Sequence, residues 1–91
     1  MKLLAKLIAA IAPSYRVIHQ GRAGIRYREG KKEMAIDSEM LFGNFDIVVY
    51  LDSIARWLPP HDAVPVTPED KERIRQNLAE SMKSLKVDWQ K

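Results

Sequence analysis

Cysteine is absent from this chain, histidine occurs twice, glycine four times, and no apolar run approaches the ~20 residues that cross a bilayer. Without cysteine there are no disulfides and no thiolate metal sites, a composition that fits a reducing cytoplasm. His19 and His61 lack a carboxylate or a second histidine at metal-ligand helical spacing, and His61 beside Asp62 reads as a hydrogen-bonded loop pair. Gly21-Arg22-Ala23-Gly24 is too short for a phosphate-cradling loop, and no helical pattern follows it. No serine sits in a G-x-S-x-G elbow after a strand. Asp37, Glu39, Asp46, Asp52 and Asp62 are spread over strand edges and turns, where carboxylates are ordinarily solvated. No catalytic residue, metal ligand or cofactor is therefore expected.

What is present describes a small globular domain. Ninety-one residues, 46% hydrophobic and 30% charged, make one domain of modest core depth, because a chain of this size buries about 60–70% of its unfolded surface. The opening MKLLAKLIAAIA sets Lys2 before an apolar stretch ending in Ala10-Ile11-Ala12. Lys6 interrupts that stretch and Pro13 follows it, so an export signal is not expected. The net charge of +3 is unevenly placed. Residues 1–36 hold eight basic residues against two acids (+6), residues 37–70 one against seven (−6), and residues 71–91 six against three (+3). Such asymmetry speaks of partners, or of complementary faces within the monomer, rather than of fold.

Hydrophobic periodicity divides the chain. Leu3, Leu4, Leu7, Ile8 and Ile11 recur at helical spacing with Lys2 and Lys6 opposite, predicting an amphipathic helix over 1–12 that Pro13 stops. It must bury its stripe on its own sheet, on a partner or on a membrane surface. Extended segments follow over 15–58, divided by Gly21, Gly30 and Gly43-Asn44 at turn positions. Ile25 and Tyr27 alternate with Arg26 and Arg28, and Met34 and Ile36 with Ala35 and Asp37, the period-two pattern of half-buried antiparallel strands. Phe45 to Leu51 is apolar on both faces, as suits a central strand, or one that makes a homodimer through its second face. A helix over 67–85 starts with Thr67 as N-cap, Pro68 in the first turn and the acids Glu69 and Asp70 beside the dipole. Its core stripe is Ile74, Leu78, Met82 and Leu85, and residues 86–90 alternate as a last strand would. The expected fold class is α+β: an antiparallel four- or five-stranded meander covered by an N-terminal and a C-terminal helix.

Two surfaces invite ligands. Arg16, Arg22, Arg26, Arg28, Lys31 and Lys32, interleaved with Tyr15 and Tyr27, could neutralise phosphates and stack bases of a nucleic acid. Strand parity counts against this, since Tyr27 points opposite to Arg26 and Arg28. The acidic middle is the other surface.

The order Ile25-x-Tyr27-x-Glu29-Gly30, Met34-x-Ile36-x-Ser38-Glu39-x-Leu41, Val49-Tyr50-x-x-Ser53-Ile54-x-x-Trp57 and Pro59-Pro60, followed by an acid-opened helix with Ile74, resembles a family of small predicted immunity proteins of bacterial polymorphic toxin systems. The resemblance spans about Ile25 to Leu85. It implies a non-enzymatic protein that binds a cognate toxin domain in the producing cell and blocks it. On that implication Asp37, Glu39, Asp46, Asp52 and Asp62 are the contact candidates, with Arg56 beside Trp57 and the tryptophan as aromatic anchor. Trp57 at a strand's end also suits core packing.

Overall fold

A computed structural model describes residues 14–91, so the helix predicted over 1–12 lies outside the described residues. Six strands and one helix follow: β1 (Tyr15–His19), β2 (Ile25–Glu29), β3 (Lys32–Ile36), β4 (Ser38–Met40), β5 (Ile47–Tyr50), α1 (Pro68–Ser81) and β6 (Val87–Gln90). The strands form two three-stranded sheets, β1-β2-β3 and β4-β5-β6, and not the predicted single meander.

The first sheet is antiparallel, in the register Val17↔Tyr27↔Met34. Alternation turns Ile25, Tyr27 and Glu29 of β2 to the interior along with Met34 and Ile36 of β3. The turn entering β2 requires glycine at Gly24, where φ is 91° and an added Cβ would stand 2.7 Å from the Ile36 carbonyl oxygen.

The sequence pattern reads residues 32–41 as one strand, yet the chain leaves the first sheet at Asp37. The Asp37 amide donates to Ser53 Oγ at 2.8 Å, and that hydroxyl donates to the Tyr50 carbonyl at 2.6 Å. The Tyr50 amide in turn donates to the Asp37 carbonyl at 3.0 Å. Ser53, in a 3-10 turn spanning Leu51–Ser53, therefore bends the strand and lets Ser38–Met40 pair with β5 instead.

A second correction concerns the last strand, which runs parallel to β5 in the register Ile47↔Val87, Val49↔Trp89. The intervening helix explains this, because a crossover returns the chain to the end from which the previous strand started. The helix itself follows its sequence signals. Thr67 Oγ1 accepts from the Asp70 amide at 3.1 Å and Asp70 Oδ2 from the Thr67 amide at 3.0 Å, a reciprocal capping box.

Both sheets and the helix share one apolar cluster: Ile25, Tyr27, Met34, Ile36, Ile47, Val49, Ile54, Trp57, Ile74, Leu78 and Met82. Val48, on the opposite face of β5 between Glu39 and Asp88 in register, is buried as well. Both faces of β5 therefore hold a buried apolar side chain, in line with its two-sided pattern.

A carboxylate borders this core. Glu29 is 3% exposed, and its carboxylate accepts from Tyr27 Oη at 2.7 Å, Arg73 Nη2 at 2.7 Å and Arg73 Nε at 3.0 Å. Asn77 Nδ2 donates to Tyr27 Oη at 2.9 Å, and Arg73 Nη1 donates to Asp70 Oδ1 at 2.6 Å. The network ties α1 to β2 and on into the capping box. A buried carboxylate persists only when its lone pairs are met in this way.

Candidate functional site

The six basic residues singled out from the sequence do not all gather on one surface. Arg16 and Arg28 are cross-strand partners and share the outer face with Arg26. Glu33 stands among them, accepting from Arg26 Nη1 at 3.2 Å and from Arg28 Nε at 2.9 Å. The Arg28 contact, more than that of Arg26, holds the Glu33 carboxyl below its ordinary range. Lys32 turns inward and sets its Nζ 4.8 Å from the centre of the Trp57 ring. Lys31 lies at the exposed turn between β2 and β3, and Arg22 in the turn before β2. Tyr27 is buried, and Tyr15 stacks on it with ring centroids 6.2 Å apart, so the arginine face presents no aromatic platform.

The acids behave differently. Pairing of β4, β5 and β6 puts Glu39, Val48 and Asp88 in one cross-strand row on the outer face of the second sheet. Tyr50 lies one step along, its amide bonded to the Asp37 carbonyl. Burial raises the Tyr50 phenol above its ordinary value, and the charges of Glu39, Asp88 and Asp37 raise it further. Three carboxylates thus converge on one tyrosine. Beside them runs an open cleft of about 280 Å3 lined by Arg22, Ala23, Gly24, Asp37, Ser38, Glu39 and Tyr50.

Of the acidic residues singled out from the sequence, Asp37 and Glu39 are brought together here and the rest are not. Asp46 is exposed, but its Oδ2 accepts the Lys86 amide at 2.8 Å and joins the start of β5 to that of β6. Asp52 lines a separate recess of about 340 Å3 with Leu51, Ile54, Pro68, Lys71, Glu72, Arg75 and Lys91. Arg56 and Asp62 are exposed on the segment leading to α1. Trp57 requires correction as a surface anchor, being 1% exposed within the core and tilted against Tyr27 at 6.3 Å between centroids. Its position at the junction of strand, turn and helix gives the large ring more apolar contact inside than any surface could offer.

Asp88 does not stand out in the sequence because the segment that holds it, residues 71–91, has a net positive charge. Its parity, opposite to Val87 and Trp89, was a readable signal. Among the described residues, no group of three or more His, Cys, Asp or Glu is arranged to hold a metal ion. No described helix is long and apolar enough to cross a membrane.

A family model, Immunity protein 74, matches residues 17–89, covering both sheets, the helix and the acidic cluster. The chain belongs to the Immunity protein 74 family. Neither a curated protein nor a solved structure matches it. The family is one of immunity proteins of toxin systems, and the acids Asp37, Glu39 and Asp88 give the second sheet a charged outer surface. The family match also begins earlier than the motif resemblance, taking in β1 from Val17 onward.

Proposed function

We propose that this protein is a non-enzymatic inhibitor that binds a cognate toxin domain, in the cytoplasm of the cell that makes both, and blocks it by occupying its surface. The observation that carries the reading is the convergence of Asp37, Glu39 and Asp88 around Tyr50 on one face of the second sheet. Acids gathered on one face set up a negative field that a basic partner meets with opposite charge. Glu39 and Asp37 are exposed, so they reach that partner without rearrangement. Asp46, Asp52 and Asp62 add to the negative field that steers the encounter, while Arg56 and the acids at the margins make peripheral contacts.

The test is association kinetics with the toxin domain encoded beside this chain's gene, purified in an inactivated form. The triple variant Asp37→Asn, Glu39→Gln, Asp88→Asn should associate about tenfold more slowly at low salt than the wild type, and the difference should shrink as salt rises. A wild-type association rate that ignores both salt and these substitutions would show that the acidic face is not the binding surface.

A further inference from the structure

The acidic face accounts for steering but not for grip, since rim charges govern association more than affinity. Grip needs a desolvated apolar anchor. With Trp57 buried, that role has to lie elsewhere. The loop from β4 to β5 offers it: Phe42 is 102% exposed, Met40 58% and Phe45 43%, three large apolar side chains within six residues. A single exposed apolar side chain is ordinary, but a contiguous group at one loop is the mark of an interaction site.

The loop is also held at its base. The Leu41 amide donates to the Asp46 carbonyl at 2.9 Å, and the Asp46 amide donates to the Lys86 carbonyl at 2.8 Å. With Asp46 Oδ2 accepting the Lys86 amide, the base is clamped to the start of β6. A clamped loop presents its aromatic side chain at a smaller ordering cost on binding. A recess of about 540 Å3 lined by Gly21, Arg22, Ser38, Glu39, Met40 and Phe42 joins the loop directly to Glu39 and so to the acidic face.

We propose that Phe42 is the anchor of the inhibitory interface, entering an apolar recess on a toxin domain whose surrounding surface is basic, with Met40 and Phe45 packing beside it. This rests on the inhibitor reading above. Charge chooses the occupant. A second copy docking by two-fold symmetry over this region would bring Asp37, Glu39 and Asp88 against their own counterparts, and a nucleic acid would bring phosphates against them. A basic protein surface meets the same acids with opposite charge.

The experiment measures affinity of the full chain for the inactivated neighbouring toxin domain, in wild type, Phe42→Ala, Phe42→Leu and the charge triple variant, with thermal unfolding of each alone. Phe42→Ala should bind at least about 30-fold more weakly, chiefly through faster dissociation, and Phe42→Leu should recover part of the loss. The melting temperature should stay unchanged, because the Phe42 side chain is fully exposed and packs against none of the described residues of the core. Equal affinity of Phe42→Ala and wild type, with the charge triple variant impaired, overturns the anchor and leaves the inhibitor standing. A wild type that forms no complex at micromolar concentration overturns the inhibitor reading, and the anchor with it. Light scattering that finds a dimer which Phe42→Ala dissociates, or binding to single-stranded oligonucleotide which Phe42→Ala abolishes, assigns the loop to another occupant and also overturns the proposal.

Discussion

Removing the Arg73 guanidinium should damage the fold far more than a surface ion pair normally would. Arg73 supplies two of the three hydrogen bonds that reach the Glu29 carboxylate, at 2.7 and 3.0 Å, and Glu29 is only 3% exposed. In Arg73→Ala the carboxylate keeps only Tyr27 Oη at 2.7 Å and loses its compensating charge. Orphaning one member of a buried pair costs about 3–5 kcal/mol. The Arg73 side chain is 38% exposed, so water can enter where it stood, and the expected loss falls to about 2–4 kcal/mol. The same substitution frees Asp70 Oδ1, whose partner lies at 2.6 Å, but Asp70 keeps the Thr67 amide at 3.0 Å. For a domain of this size the loss corresponds to a melting temperature lower by about 10–20 °C. Replacing both partners, as Glu29→Met with Arg73→Met, should cost less than Arg73→Ala alone, since no buried charge is left without its partner. Urea unfolding of the two variants and the wild type measures both differences. A loss below about 0.5 kcal/mol for Arg73→Ala, the range of an ordinary exposed pair, would refute the clamp.

Trp57→Ala should lose about 3–5 kcal/mol by thermal or urea unfolding, because the ring is 1% exposed in the core; an unchanged melting temperature would mean the ring is not a core element. Stability should also fall with acid through Asp70, whose carboxyl is held below its ordinary value by the Thr67 backbone amide first and by Arg73 next. The sign follows from that direction: the contribution is complete above the unfolded value near 3.9 and is lost as pH drops through the lower folded value. Melting temperatures between pH 7 and pH 3 should therefore fall less steeply in Asp70→Asn than in the wild type, and parallel curves would contradict the assignment.

Local chemistry was the readable part of this chain. Thr67, Pro68 and Asp70 announce their helix because capping involves residues only three apart, and the parity of Ile25, Tyr27 and Met34 announces their burial. What stayed hidden depends on distant partners. The break at Asp37 needs Ser53, sixteen positions on, to take the Asp37 amide. The parallel β6 depends on which strand it meets after the crossover. Glu29 looks like a solvated strand residue until Arg73, 44 positions away, arrives to meet it, although its shared parity with Ile25 and Tyr27 already pointed inward. The acidic site was half legible for the same reason: Asp37 and Glu39 lie close in sequence, whereas Asp88 joins them only through the pairing of β5 with β6.

The most direct trial of an inhibitor that works by its exterior is a titration of the active toxin with purified protein, following residual toxin activity against the molar ratio. Inhibition that reaches completion at one equivalent, with both chains recovered intact in a single complex, is the expected outcome. Loss of toxin activity at a small fraction of an equivalent, with the inhibitor released to act again, would reveal turnover; full toxin activity at several equivalents would show that this protein does not restrain it.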